Sequence, residues 1–161
     1  MAVEIEHKFL ASDDGWRASI VRSGSLRQGY LSVDPPRTVR VRLVDDERGY
    51  LTIKGERVGN QRPEFEYEIP ASDARTLLDQ LCRRPLIEKV RHHLDLSPGD
   101  WTVDEFSGAN AGLVLIEAEL AEGEALGQLP DWVDVDVTTD DRYANSSLQV
   151  TPYQQWSADG R

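Results

Sequence analysis

Acidic and basic side chains alternate with apolar ones from the first residues of the chain. In the stretch EIEHKF, Glu4, Glu6 and Lys8 fall on one parity, while Ile5 and Phe9 fall on the other. Successive side chains of a β-strand point to opposite faces, so the stretch predicts a strand with one charged and one apolar face. Carboxylates two residues apart repel each other unless a counter-ion or a neighbouring strand compensates them. One strand alone, however, is equally typical of a sheet with one face in water.

The same alternation recurs in six later stretches, and the charges are sorted by stretch. Bases occupy the charged parity of TVRVRLV, LTIKG and IEKVRHHL, whereas acids dominate it in RPEFEYEI, WTVDEF and LVLIEAELA. The basic positions are Arg40, Arg42, Lys54, Arg62, Lys89 and Arg91, and the acidic ones are Glu4, Glu6, Glu64, Glu66, Asp104, Glu117 and Glu119. A sheet face in water also alternates, but it mixes in neutral polar residues. Because nearly every position is charged, we favour a charged interior.

Both charge types suit a polyphosphate bound together with a divalent metal. Guanidinium groups bind phosphate oxygens through paired hydrogen bonds, and lysine acts as a point charge. Carboxylates are hard oxygen ligands of the kind that hold Mg²⁺ or Mn²⁺ beside phosphates. Since buried charge without a partner is very costly, such an interior must be wet and must hold ions of both signs.

Strands separated by turn signals must position these side chains. The alternating stretches predict eight strands near residues 3–10, 25–33, 37–45, 49–56, 62–69, 86–95, 100–106 and 113–120. Most connections are short, which favours antiparallel hairpins in a barrel or sandwich, and the charged interior favours the barrel. A helix is predicted in SDARTLLDQLCRR with Ser72 as its N-cap, and shorter helices are predicted at 13–22 and 141–149. The fold class is mainly β, an eight-stranded antiparallel barrel with a few covering helices.

Composition excludes several other classes of protein. The 161 residues predict one domain over 1–161, and the net charge of -11 argues against nucleic acid or anionic membranes as partners. The chain has no long apolar run and no secretory signal pattern, so we expect a soluble cytoplasmic protein. A single cysteine, Cys82, allows neither a disulfide framework nor a thiolate zinc site, and we expect it to be buried. His7 and His92 fall on the apolar parity, which predicts a structural role and no metal triad with His93.

The motifs together resemble the CYTH superfamily, the triphosphate tunnel metalloenzymes. EIEHKF looks like the ExExK signature of that family, and the likeness continues in order through RQGYL, VRVR, LTIKG, RPEFEYEI, EKVRH, WTVDEFSG, LIEAEL and VTTDDRYANSSL. The resemblance spans nearly the whole chain. It implies an eight-stranded antiparallel tunnel that binds a triphosphate with Mg²⁺ or Mn²⁺. It also implies hydrolysis of inorganic tripolyphosphate, with adenylate cyclase and thiamine triphosphatase as enzymatic alternatives.

The resemblance assigns a role to each position of the charged face. Glu4, Glu6, Asp104, Glu117 and Glu119 would hold metal, with Glu64 and Glu66 as possible additions that otherwise orient arginines. The triphosphate would be bound by Lys8, Arg40, Arg42, Lys54, Arg62, Lys89 and Arg91. Lys89 resembles a general acid for the leaving phosphate, and Lys8 with Tyr30 resembles a pair near the attacking side. The alternative for Tyr30 is a structural role in packing the barrel. A non-catalytic polyphosphate sensor is the alternative from another class, and the sequence does not determine the oligomeric state.

Overall fold

Nine strands form one antiparallel sheet in the residues that the computed structural model describes, 3–34 and 36–160. In chain order they are β1 (Val3–Ala11), β2 (Ile20–Ser32), β3 (Thr38–Val44), β4 (Arg48–Lys54), β5 (Gln61–Ile69), β6 (Ile87–Leu94), β7 (Asp100–Phe106), β8 (Val114–Glu119) and β9 (Val133–Asp136). The eight predicted strands are all present, while β2 begins five residues before its predicted start and β9 was not predicted.

The sheet closes on itself through the first strand. The strands follow one another in the order β5-β4-β3-β2-β6-β7-β8-β1, and β1 also pairs with β5, where Glu4 lies opposite Arg62. The middle of β1 pairs with β8, placing Lys8 opposite Glu117, and its far end pairs with the short β9. The predicted eight-stranded antiparallel barrel is therefore confirmed, with β9 as an extra strand at its rim.

Two α-helices and several single 3-10 turns complete the fold. The first helix, α1, covers Ala71–Gln80, and the second, α2, covers Asn145–Val150. The prediction of Ser72 as N-cap was wrong, because α1 begins earlier and Pro70 precedes its first residue. The helix predicted at 13–22 was also wrong: only Gly15–Ser19 form a 3-10 turn, and the β-branched pair after it enters β2. No helix in the described residues is long and apolar enough to span a membrane.

Apolar packing lies outside the barrel wall. The cluster beneath α1 contains Val41, Leu43, Ala74, Leu78 and Cys82, which confirms that the cysteine is buried. Gly49 makes this approach possible, because a Cβ at that position would lie 2.7 Å from the Cβ of Ala74. A second cluster joins β6, β7 and β8 to the C-terminal segment, and a third packs beside Trp16.

Not every outward apolar side chain is covered by a helix. We expected Ile5, Val41, Ile53, Phe65, Val90 and Leu120 to lie beneath helices. Val41 and Leu120 are buried, but Ile53, Phe65 and Val90 are each about two-fifths exposed. That expectation was wrong for these three, since α1 packs mainly against β3 and β4 and leaves other parts of the wall open.

Candidate active site

The charged parity of the strands lines a cavity inside the barrel. The cavity has a volume of about 220 Å³, and six carboxylates and seven cationic side chains of the described residues line it. The charged lining residues are Glu4, Glu6, Lys8, Arg40, Arg42, Lys54, Arg57, Arg62, Glu64, Glu66, Arg91, Glu117 and Glu119. Strand register forces this arrangement, since a slip of one residue would exchange the charged and apolar faces.

The acidic part of the cavity is centred on the start of β1. Glu4 pairs with Lys54 at 2.7 Å, and Glu6 pairs with Lys8 at 3.0 Å and with Arg57 at 2.9 Å. Burial raises the pKa of Glu4, whereas Lys8 and Lys54 hold the pKa of Glu6 well below its usual range despite its burial. Two carboxylates on one strand therefore differ in how strongly they hold a proton.

Glu119 faces this acidic part from the end of β8. Burial first, and then repulsion by Glu4, Glu64 and Glu6, raise the pKa of the Glu119 carboxyl to about 7. Such a cluster is destabilised by its own charge until a proton or a cation is shared among the acids. A divalent cation would relieve this repulsion.

The basic part of the cavity is formed by β3 together with neighbouring strands. Arg40 donates to the hydroxyl of Thr52 at 3.0 Å, and Arg42 donates from Nε to the side-chain oxygen of Gln28 at 3.2 Å. Burial, and then the nearby charges of Arg40 and Arg91, lower the pKa of Arg42 to about 9. A bound anion would relieve the repulsion between these guanidinium groups.

Four buried polar atoms of the lining have no partner in the described residues. Three are N–H donors, on Nε of Arg40, Nη1 of Arg57 and Nε of Arg62, and the fourth is the oxygen Oε2 of Glu4. Buried donors and acceptors in proteins are normally hydrogen-bonded. Orphan guanidinium donors suit the oxygens of an anion, and an orphan carboxylate oxygen suits a cation or water.

A buried ion network lies in the wall behind the cavity. Lys89 and Asp104 have no exposed side-chain surface and are 2.6 Å apart, while Arg91 holds both oxygens of Asp104 at 2.7 and 2.8 Å. Arg91 also reaches Glu117 at 3.1 Å. Despite its burial, Arg91 and Lys89 hold the pKa of Asp104 below its usual range, whereas burial lowers the pKa of Lys89 to about 7.

Most of the residues singled out from the sequence come together in one place. All the predicted positions line the cavity except Lys89 and Asp104, which lie in the network behind it. Tyr30 lines the cavity and is almost fully buried, and burial raises the pKa of its hydroxyl. The histidines follow the structural prediction: His7 bonds Asn60, and His92 lies between Ser23 and Glu105.

Several lining or supporting residues were missed. Arg57 lies in the loop between β4 and β5, where no strand parity marks it, and Asn145 lies on α2. Gln28 is uncharged but fully buried beside Arg42 in the register of β2 and β3. Its position two residues before Tyr30 in RQGYL, on the same parity, was the available signal in the sequence.

Most of the lining carboxylates pair with cations of the protein, and the described residues form no ready-made metal cage. No group of three or more acidic, histidine or cysteine side chains in residues 3–34 and 36–160 is arranged to hold a metal ion. The orphan oxygen of Glu4 and the mutually repelling acids around Glu119 nevertheless fit a hard divalent cation. Such a cation would have to compete with Lys54 for Glu4.

Comparison with known proteins places the chain in a family. The CYTH domain model matches residues 2–141. The chain belongs to the CYTH family. This CYTH chain is 44% identical to an inorganic triphosphatase of Acetivibrio thermocellus, covering 97% of this chain and 99% of that protein. It is 32% identical to an inorganic triphosphatase of Nitrosomonas europaea over 92% of this chain and 97% of that protein.

A solved structure supports the same relationship for this CYTH domain. The crystal structure of an inorganic triphosphatase superposes with a TM-score of 0.65 at 30% sequence identity. The match covers 94% of this chain and 97% of that one. The fold of this chain is thus shared with a protein named inorganic triphosphatase.

Proposed function

We propose that this CYTH domain hydrolyses inorganic tripolyphosphate to pyrophosphate and phosphate inside the barrel, with Mg²⁺ or Mn²⁺. The observation that carries the proposal is the set of seven cationic side chains around a cavity of about 220 Å³, three of them with orphan N–H donors. Pockets for drug-sized ligands are typically about 300–1,000 Å³, so this cavity suits a small and highly charged ligand. Two relatives named inorganic triphosphatase match nearly the whole chain.

The cationic residues would bind the triphosphate and neutralise its charge. Arg40, Arg42 and Arg62 line the cavity with guanidinium groups that can donate to phosphate oxygens, and Lys54 adds a point charge. Arg91 is fixed by Asp104 and Glu117, so it presents its charge without having to reorganise. Binding therefore depends on pre-positioned cations.

The acidic residues would hold the metal and the attacking water. Glu4 and Glu119 are the best-suited ligands, with Glu6, Glu117 and Asp104 as further candidates and Glu64 and Glu66 beside them. A bound divalent metal supplies neutralisation of phosphate charge and a lowered pKa for its water. Lys8 and Tyr30 line the cavity beside Glu6 and Arg40 respectively, where they can orient the attacking side. Lys89, with a pKa near 7, is the candidate donor of a proton to the leaving phosphate.

An organic triphosphate is the second candidate, and one observation favours it. A larger cavity of about 740 Å³ shares Thr38, Arg57 and Arg62 with the charged cavity. The triphosphate of ATP or thiamine triphosphate could occupy the tunnel while its organic part occupied this outer space. Adenylate cyclase or thiamine triphosphatase activity would then replace tripolyphosphatase activity.

A phosphate-release panel distinguishes these candidates. The metal-stripped protein is assayed with tripolyphosphate, pyrophosphate, ATP and thiamine triphosphate, each with Mg²⁺, with Mn²⁺ and with EDTA. We expect the highest kcat/KM for tripolyphosphate, loss of activity in EDTA and recovery with either metal. The variant Glu4→Gln serves as the matched control, because it keeps a side chain of the same size but loses the ligand charge.

Three results would contradict the proposal. Full turnover in EDTA would exclude the metal mechanism, and a preference for ATP or thiamine triphosphate would favour the second candidate. Binding of tripolyphosphate without turnover under any metal would favour the sensor hypothesis.

A further inference from the structure

A chain of hydrogen bonds joins a tunnel arginine to Lys89 through two neutral amides. Arg42 donates from Nε to Oε1 of Gln28 at 3.2 Å, and Gln28 donates from Nε2 to Oδ1 of Asn145 at 3.0 Å. Lys89 donates to the same Oδ1 of Asn145 at 3.2 Å. Neither amide belongs to the charged pattern of the strands. Asn145 also lies beyond residue 141, where the match to the family model ends.

The two ends of this chain fix how both amides are oriented. Arg42 Nε and the Lys89 ammonium can only donate hydrogen bonds. Gln28 must therefore turn its oxygen toward Arg42 and its NH₂ group toward Asn145. Asn145 must turn its oxygen toward Gln28 and Lys89, so that one oxygen accepts two bonds and the NH₂ group points elsewhere. A flip of either amide would break at least one bond to a buried cation.

Contacts outside the chain of hydrogen bonds hold both amide residues in place. Gln28 has no exposed surface and lies opposite Arg42 in the register of β2 and β3. Asn145 begins α2, whose Leu148 is fully buried against the barrel in the same apolar cluster as Tyr143. The packing of the C-terminal segment thus fixes the position of Asn145 relative to Lys89.

We propose that Gln28 and Asn145 are positioning residues that hold Arg42 and Lys89 in a fixed relation along the tunnel wall. This inference rests on the proposed function. Arg42 faces the substrate cavity and Lys89 lies behind it. The chain of hydrogen bonds from Arg42 to Lys89, named the relay below, therefore couples a group that binds phosphate to the group proposed to protonate the leaving phosphate. Removing the shared acceptor leaves Asp104, at 2.6 Å, as the remaining hydrogen-bond partner of the Lys89 ammonium within the described residues, so the ammonium can shift toward that carboxylate.

Near-isosteric variants test the relay with little change in volume. Asn145→Leu removes the shared acceptor, Asn145→Asp keeps an oxygen in its place, and Gln28→Met removes both bonds of the glutamine. Ser147→Ala, on the same helix but outside the relay, is the matched control. Tripolyphosphate kinetics give kcat and KM for each variant, and thermal unfolding verifies that each is folded.

We expect Asn145→Leu to lower kcat roughly ten- to a hundredfold, as for a lost hydrogen bond to a charged group, with KM changed less than about threefold. Asn145→Asp should recover at least part of that loss, and Ser147→Ala should match the wild type. Gln28→Met should raise KM through Arg42 and also lower kcat. In the double variant with Asn145→Leu, kcat should be no lower than for Asn145→Leu alone.

Distinct outcomes overturn the relay and the proposed function. If the wild type is active and Asn145→Leu and Asn145→Asp behave alike, or if their effects fall on KM alone, the relay is refuted. Additive losses of kcat in the double variant also refute it. If Asn145→Leu fails to fold, an unchanged kcat in Gln28→Met refutes the relay instead. A wild-type protein inactive on tripolyphosphate under every metal refutes the proposed function itself.

Discussion

Asp104→Asn should lower the free energy of unfolding markedly and should have little effect on metal affinity. Asp104 is fully buried and accepts hydrogen bonds from Lys89 at 2.6 Å and from Arg91 at 2.7 and 2.8 Å. Neutralising it leaves two buried cations without their shared counter-ion. Breaking a buried pair in this way costs roughly 3–5 kcal/mol. For a domain of this size about 1 kcal/mol lowers Tm by about 2–4 °C, so the expected loss in Tm is about 6–20 °C.

Thermal unfolding of the EDTA-treated protein measures this loss, with Glu119→Gln as the control. Glu119 lines the same tunnel but forms no ion pair within the described part of the chain. Its pKa of about 7 lies above the value of 4.5 for an unperturbed glutamate, so its contribution to stability is lost as the pH rises through 7. Glu119→Gln should therefore keep or raise Tm at pH 8, while requiring more metal for half-maximal activity.

The opposite pattern would refute this interpretation of Asp104. If Asp104→Asn melts within about 2 °C of the wild type, the buried network contributes less than a typical buried pair. If that variant also needs much more metal for activity, Asp104 must leave Lys89 and Arg91 to act as a metal ligand. The role implied by the sequence resemblance would then hold.

Substrate binding, leaving-group chemistry and metal binding each give a further test. Arg40→Ala and Arg42→Ala should each raise KM for tripolyphosphate roughly ten- to a hundredfold, because each removes a charge-assisted contact. An effect confined to kcat would argue against that role. Lys89→Ala should lower kcat more than it raises KM, and a change in KM alone would remove its assignment as general acid. With a pKa of about 7, Glu119 is about nine-tenths ionised at pH 8 and about one-tenth at pH 6. The metal concentration for half-maximal activity should therefore rise about tenfold from pH 8 to pH 6. If Glu119→Gln shows an equally steep rise, a group other than Glu119 causes this pH dependence.

The barrel and most of its lining were predictable because strand alternation is a strong constraint. Once EIEHKF, TVRVRLV and LIEAELA are strands of one closed sheet, the parity of Glu4, Arg42 and Glu117 places them on the same side. No packing detail is needed for that conclusion, since a strand has only two faces. The order of the strands in the barrel does not follow from alternation and was not predicted.

Residues outside this constraint were missed for physical reasons. Arg57 reaches Glu6 from a hairpin loop, and loop side chains have no fixed parity. Asn145 and Gln28 act through hydrogen bonds that depend on where the C-terminal segment packs, which local sequence does not determine. The strand β9 does alternate valine and aspartate, but with four residues it is shorter than every other strand, so its pattern was too weak to predict a strand. The burial of Lys89 behind the lining likewise depends on the position of Asp104 across β6 and β7.

Because the charges of the tunnel lining nearly cancel, the charges on the rest of the molecule determine the electric field outside it. The lining carries six carboxylates and seven cations, while the whole chain has a net charge of -11, so the negative excess lies on the rest of the molecule. The net charge of the whole chain therefore repels a polyphosphate that approaches from solution. The range of that repulsion is the Debye length, about 10 Å at 0.1 M salt. Added salt should consequently speed the entry of a small anion, the reverse of ordinary electrostatic steering.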